Sequence, residues 1–116
     1  MKNRPFKERL SFAWSGLCIA WHSEASLRTH VGMSLLLLVA LLILQPAILW
    51  WALCGVMVTL VIAAELINTA LEHLADHLHP EQHPSIKLVK DCAAAAVLIL
   101  SIGALWVALM MVVSIM

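Results

Sequence analysis

The chain has 116 residues, 63% of them hydrophobic and only 12% charged, with a mean hydropathy of +0.96 and seven basic residues balancing seven acidic ones. So small a polar fraction cannot clothe a soluble domain, and the composition describes a small integral membrane protein. Zero net charge without a basic stripe excludes nucleic acid as a partner.

The charges are segregated. All seven basic and seven acidic residues fall within 2–28 or 65–91, which leaves 29–64 and 92–116 bare. In the first zone, over residues 5–23, Phe6, Leu10, Ala13, Trp14, Leu17 and Trp21 recur at three- and four-residue intervals, while Lys7, Glu8, Ser11, Ser15 and Ser23 fall largely elsewhere. That spacing predicts an amphipathic helix lying in the membrane interface.

Three spanning helices are then expected, over 27–45, 47–76 and 91–116, giving an all-α integral membrane fold in a single domain. Arg28 and His30, at the start of the first span, are expected to snorkel toward headgroups. Gln45 and Pro46 leave room only for a tight turn, and Trp50 and Trp51 behind it form an aromatic belt at the far interface. Thr59 and Ser101 should bond back to their own helices, and Ser34, Gly55 and Gly103 should let helices approach closely.

Positive charge orients the chain. Lys2, Arg4, Lys7, Arg9 and Arg28 precede the first span, and Lys87 and Lys90 lie in the only other charged segment, on the same side. The amino terminus and the loop 75–90 are therefore expected in the cytosol. No cleavable signal is evident. Cys18, Cys54 and Cys92 are too few and too scattered for a disulfide framework and read as packing residues.

The chemistry concentrates where the second span ends. Glu65 closes an uncharged run that begins at Ala47, and Asn68, Glu72 and Asp76 follow at helical spacing. At 100° per residue these four lie within roughly 80° of one another. Roughly 28 Å of helix from Pro46 puts Glu65 where lipid tails give way to headgroups, a depth at which a lone carboxylate is costly and usually functional. Glu24, at the junction of surface helix and first span, sits at the same depth. Glu81, His83, Lys87, Lys90 and Asp91 follow in the polar segment.

Carboxylates and an amide oxygen suit a hard divalent cation such as Mg²⁺, and lysine suits phosphate oxygens. Phosphoryl transfer needs little more than these and a base beside the attacking hydroxyl. Structural uses compete: Asn68 as interhelical glue, Glu65 paired across helices, Asp76 as a solvent-facing helix end. His73 and His77 have zinc-chelating spacing, but no cysteine joins them, and a structural zinc site is not expected.

These residues bring a resemblance with them. Trp14-Ser-Gly-Leu and Trp21-His-Ser-Glu24-Ala-Ser-Leu-Arg28 at the front, Glu65-Leu-Ile-Asn68-Thr-Ala-Leu-Glu72 with Asp76 in the middle, and Glu81-Gln-His83-Pro, Lys90-Asp91 and Ala95-Ala-Val-Leu at the back resemble the prokaryotic diacylglycerol kinase family, which includes undecaprenol kinases. The resemblance implies a homotrimer in the bacterial cytoplasmic (inner) membrane, with its active site on the cytosolic side. It implies ATP- and Mg²⁺-dependent phosphorylation of a membrane lipid alcohol, diacylglycerol to phosphatidic acid in the first place and undecaprenol as the alternative.

Roles carry over by position. Glu65 is similar to the catalytic base and Glu24 and Glu72 to metal ligands. Glu24, Asn68, Glu72, Glu81, His83, Lys90 and Asp91 are similar to the nucleotide site, and Trp14, Trp21, Arg28 and Glu65 to the lipid site. Like the family, the chain lacks a Gly-rich phosphate loop. It departs from diacylglycerol-specific relatives at Cys92-Ala93-Ala94-Ala95, at His30 and at Cys18, and the first two departures look more like the undecaprenol kinases. Two other classes stand beside this reading. An ion-coupled transporter lacks the midplane charge and duplicated topology it would need; a regulatory anchor would act through the histidine-rich loop.

Overall fold

The computed structural model describes residues 3–116, and Lys2, counted above among the orienting charges, lies outside them. Four helices follow one another: α1 (Phe6–Ser23), α2 (Ala25–Leu44), α3 (Ile48–Leu78) and α4 (Pro84–Ile115), with no strand among the described residues. The last three are long and apolar enough to cross a membrane, which makes the chain a multi-pass membrane protein. At about 1.5 Å per residue α3 and α4 exceed the ~30 Å hydrocarbon layer, so one end of each projects from it.

α1 carries the expected apolar stripe unpartnered. Phe6, Leu10 and Trp14 are 75%, 59% and 69% exposed, as an interfacial helix requires. A single extended residue, Glu24 (φ −118°, ψ 107°), separates α1 from α2. The break is closed by Arg28, whose Nη1 donates to the carbonyls of Trp21 at 2.6 Å and His22 at 3.2 Å. Those are orphan acceptors at the end of α1. Arg28 is thus turned back onto α1 and does not reach away toward headgroups.

α2 stops at Gln45, the one non-glycine residue with positive φ among those described (φ 46°, ψ 56°). Its N–H bonds to Leu41 O and its amide donates to Leu42 O, both at 2.9 Å, and Pro46 prevents the helix from resuming. This is the tight turn expected. At that end Leu41, Cys54 and Met111 are buried together, with Leu37, Trp50, Trp51 and Val107 packed around them. The two tryptophans expected to form an aromatic belt therefore pack against this core.

α4 begins at Pro84, ahead of the span expected from Asp91. Proline at the first helical position presets φ, and the side chain of His83 accepts from Ser85 N at 3.1 Å, which caps the helix. The segment that reads as polar loop is two further turns of helix, so Lys87, Lys90 and Asp91 are held on α4. α4 packs antiparallel along α3 over most of its length, while α2 touches α3 more sparsely. At Gly103 α4 lies close against α3: a Cβ there would stand 3.1 Å from Met57 Cε. A Cβ at Gly55 would meet nothing within 4 Å, so that position is open in the single chain.

Candidate active site

α3 positions the chemistry because its buried residues recur at helical spacing: Cys54, Val61, Glu65, Thr69 and Ala75. Glu65 falls on that inward face and is only 2% exposed, so its carboxylate must be satisfied within the protein. Ser26 Oγ donates to Glu65 Oε1 at 2.7 Å, and His30 Nδ1 lies 2.6 Å from the same oxygen, off the line of a well-aligned hydrogen bond. His30 Nε2 in turn meets Ser101 Oγ on α4 at 3.2 Å. Three helices converge on one carboxylate.

This corrects the expectation for His30. The imidazole does not snorkel outward; it turns inward to Glu65, a buried partner that headgroup water cannot match. Ser101 does bond back to its helix, donating to Val97 O at 2.8 Å. Thr59 bonds back to Gly55 and Val56 carbonyls as expected.

One turn beyond Glu65, Asn68 and Glu72 form a pair: Asn68 Nδ2 lies 3.4 Å from Glu72 Oε1. Asn68 Oδ1 is buried with no partner. An orphaned amide oxygen beside a carboxylate is the donor set a hard cation takes. Among the described residues no three histidine, cysteine or acidic side chains converge on a metal position. These residues therefore fit Mg²⁺ carried in on phosphate oxygens, which keeps most of its ligands from outside the protein, and not a cage made by one chain. Glu24 occupies the α1–α2 junction and joins no such cluster.

Further out, a cavity of about 490 Å³ opens between the ends of α3 and α4, lined among others by Asp76, His79, Glu81, His83, Lys87 and Lys90. Lys90 Nζ is 2.5 Å from Asp76 Oδ1, and Lys87 Nζ is 2.6 Å from Asp91 Oδ2. Hydrogen bonding and attraction to Asp91 raise the Lys87 ammonium above the usual lysine range. Glu65 pairs with neither lysine. Of the residues expected at a nucleotide, Glu81, His83 and Lys90 line this cavity, and Asp91 is joined to it through Lys87.

A second groove, of about 510 Å³, runs between α2, α3 and α4, with Met33, Leu37, Val61 and Leu105 in its wall and His30, the neighbour of Glu65, and Ser101 at its polar part. Trp14 and Trp21 lie exposed on α1. Sequence reasoning did not find Ser26, His30 or Ser101 as neighbours of Glu65. The presence of three polar residues near the ends of otherwise apolar spans was the available signal.

A family model described as prokaryotic diacylglycerol kinase matches residues 11–112. A diacylglycerol kinase of Synechocystis is 33% identical over 94 residues, 80% of this chain and 54% of its own length, so the chain spans about half of that relative. A diacylglycerol kinase of Helicobacter pylori is 36% identical over 78% of this chain and 70% of its own. An undecaprenol kinase of Bacillus subtilis is 28% identical over 86% of this chain and 80% of its own.

Proposed function

The chain belongs to the prokaryotic diacylglycerol kinase family of lipid kinases, and from that premise we propose that it transfers the γ-phosphoryl group of ATP to the hydroxyl of diacylglycerol, yielding phosphatidic acid, at the cytosolic face of a bacterial cytoplasmic membrane. The observation that carries the reading is the placement of Glu65. Its carboxylate is buried near the end of a membrane-length apolar run, its neighbour His30 lines an apolar groove, and further along α3, from Asp76, a lysine-lined polar cavity opens.

In this reading the lipid hydroxyl reaches Glu65, whose Oε1 is already engaged by Ser26 and His30, leaving Oε2 to accept the proton. The hydroxyl oxygen forms a bond to the γ-phosphorus, the bond from that phosphorus to the β-bridging oxygen breaks, and ADP departs. Lys90, Glu81 and His83 orient the nucleotide in the polar cavity, with Asp91 steadying Lys87 beside it. Mg²⁺, when bound, neutralises phosphate charge, and Asn68, Glu72 and Glu24 would hold it. Trp14, Trp21 and Arg28 shape the lipid side. The protein works as a homotrimer in this proposal; among the described residues no three histidine, cysteine or acidic side chains gather at one point, and the long apolar faces of α2 and α4 are open to a second copy.

Undecaprenol is the second acceptor to weigh, supported by the Bacillus subtilis match over 86% of this chain. Purified protein in mixed micelles with labelled ATP, Mg²⁺ and either lipid tests both. Label in phosphatidic acid supports the proposal, label in undecaprenyl phosphate alone moves it to the second acceptor, and label in neither removes it. Glu65→Gln keeps the hydrogen bond from Ser26 and removes the base, so turnover should fall by about a thousandfold or more while nucleotide still binds. Full activity in that variant would leave Glu65 as an interhelical packing residue only.

A further inference from the structure

Hydroxyls on the spanning helices mostly turn back on their own backbone. Thr29, Ser34, Thr59 and Ser101 each donate to a carbonyl three or four residues earlier. Ser26 does not. It is the second residue of α2, so the carbonyl four residues back, that of His22, lies in α1 beyond the break at Glu24 and already accepts from Arg28 Nη1 at 3.2 Å. Ser26 Oγ reaches instead to α3, where it stands 2.7 Å from Glu65 Oε1.

That contact is the one aligned hydrogen bond to the Glu65 carboxylate among the described residues, since His30 Nδ1, 2.6 Å from the same oxygen, lies off the line of one. Oε2 accepts from no described residue. Nor is it one of the buried side-chain atoms without a partner, which are His30 Nδ1 and Asn68 Oδ1, so the 2% exposure of Glu65 includes this oxygen. One oxygen is tethered to α2 and the other is open.

We propose that Ser26 is a positioning residue for Glu65: its hydroxyl holds Oε1 and so fixes the carboxylate with Oε2 free for the acceptor hydroxyl. The proposal rests on the kinase reading, in which Glu65 takes the hydroxyl proton. A base enters the transfer ionised, and a hydroxyl oxygen 2.7 Å from a carboxylate oxygen can then only be its donor. A glutamate side chain turns about three bonds, the last with a broad preference, so attachment at Cα alone leaves its oxygens spread over several positions. Displacing a reacting group by about 1 Å can cost about a hundredfold in rate. An anchor on a second helix removes that spread without adding charge at membrane depth, and by engaging a single oxygen it leaves the proton-accepting one unblocked. Ser26 lines neither the polar cavity nor the apolar groove, so its effect on the reaction passes through Glu65.

Substitutions at Ser26 in the full-length protein test this. Ser26→Thr and Ser26→Val introduce side chains of one shape that differ in hydroxyl against methyl, and the position is exposed, so neither overfills a core. In the mixed-micelle assay with the lipid that wild type phosphorylates, Ser26→Thr should keep kcat within about threefold of wild type. Ser26→Val should lower kcat about tenfold or more, and Ser26→Ala, which adds no bulk, should do the same; KM for ATP should change less than about twofold in all three. Wild-type kcat in Ser26→Val and Ser26→Ala, or equal losses in Ser26→Thr and Ser26→Val, would overturn the proposal. Added to Glu65→Gln, Ser26→Val should lower the residual rate by less than about twofold, because the base it positions is already gone; a further tenfold loss would show that Ser26 acts elsewhere and overturn the proposal as well. Wild-type protein inactive on both lipids would remove the kinase reading and this role with it. An active wild type that tolerates Ser26→Val and Ser26→Ala would leave the kinase reading standing and remove the role alone.

Discussion

Lys90 Nζ lies 2.5 Å from Asp76 Oδ1, fourteen residues back, and this pair ties the beginning of α4 to the last turn of α3 at the rim of the polar cavity. Both side chains are accessible, 36% and 64% exposed, so the pair stabilises the fold by no more than about 1 kcal/mol. In the proposed function, Asp76 occupies the ammonium that a phosphate would use. Lys90→Ala should therefore lower kcat/KM for ATP by about 2–4 kcal/mol equivalent in transition-state stabilisation, while Asp76→Ala, which frees the ammonium, should change it less than about threefold. Steady-state kinetics with thermal melts of both variants check this. Equal losses in the two would make the pair a structural clasp.

A second ion pair predicts a pH response. Asp91 lifts Lys87 above the ordinary lysine range, first through a hydrogen bond and then through charge attraction. A lysine with a raised folded-state pKa contributes stability that is fully present below its unfolded pKa of about 10.4 and is lost as pH rises through the higher folded value. Asp91→Ala removes both causes. Lys87 in that variant should react faster with an acylating reagent at about pH 9–10 than in the parent, as peptide mapping by mass spectrometry would report. Equal rates would show that Asp91 does not hold the ammonium.

Arg28 is expected to matter to the joint between α1 and α2. Its guanidinium satisfies two carbonyls at the end of α1, and Arg28→Ala leaves them to water. The cost should be about 1 kcal/mol, as for other helix caps, with faster hydrogen exchange of amides around residues 20–24. Arg28→Lys should restore only part, since an ammonium lacks the planar fork. Unchanged exchange in Arg28→Ala would remove the capping role.

Gly103 tests the α3–α4 seam. In Gly103→Ala the new methyl meets Met57 Cε, the mobile end of a flexible side chain, at 3.1 Å. Helix propensity favours alanine by about 1 kcal/mol and should offset the crowding, leaving the melting temperature in detergent nearly unchanged. Gly103→Leu overpacks the seam and should cost about 1–3 kcal/mol. At Gly55, where nothing stands within 4 Å in the single chain, Gly55→Leu should leave the monomer's packing intact and weaken activity only if a second copy packs there.

Particular residues show how far the sequence carries. An uncharged run of membrane length has an end, which is why the sequence singles out Glu65, and the structure shows that carboxylate buried between helices. The shared face of Glu65, Asn68 and Glu72 followed from helical periodicity, and the structure places Asn68 and Glu72 in contact. The start of α4 was not legible, since the proline that reads as a break sits at the first position of the helix and histidine is an uncommon cap. Nor was the inward turn of His30, because it depends on Ser101, 71 residues away, and on a carboxylate from a third helix.

What the sequence determined by itself was the apolar spans, the zone of charge and the helix face that carries the acids, because hydrophobic burial and the 3.6-residue turn act along the chain. What only the tertiary structure decided was the choice of partners: Glu65 with Ser26 and His30, Lys90 with Asp76, Arg28 with the end of α1. Each of those choices depends on distances between groups far apart in sequence or separated by a helix break, where a few ångströms select one acceptor over another.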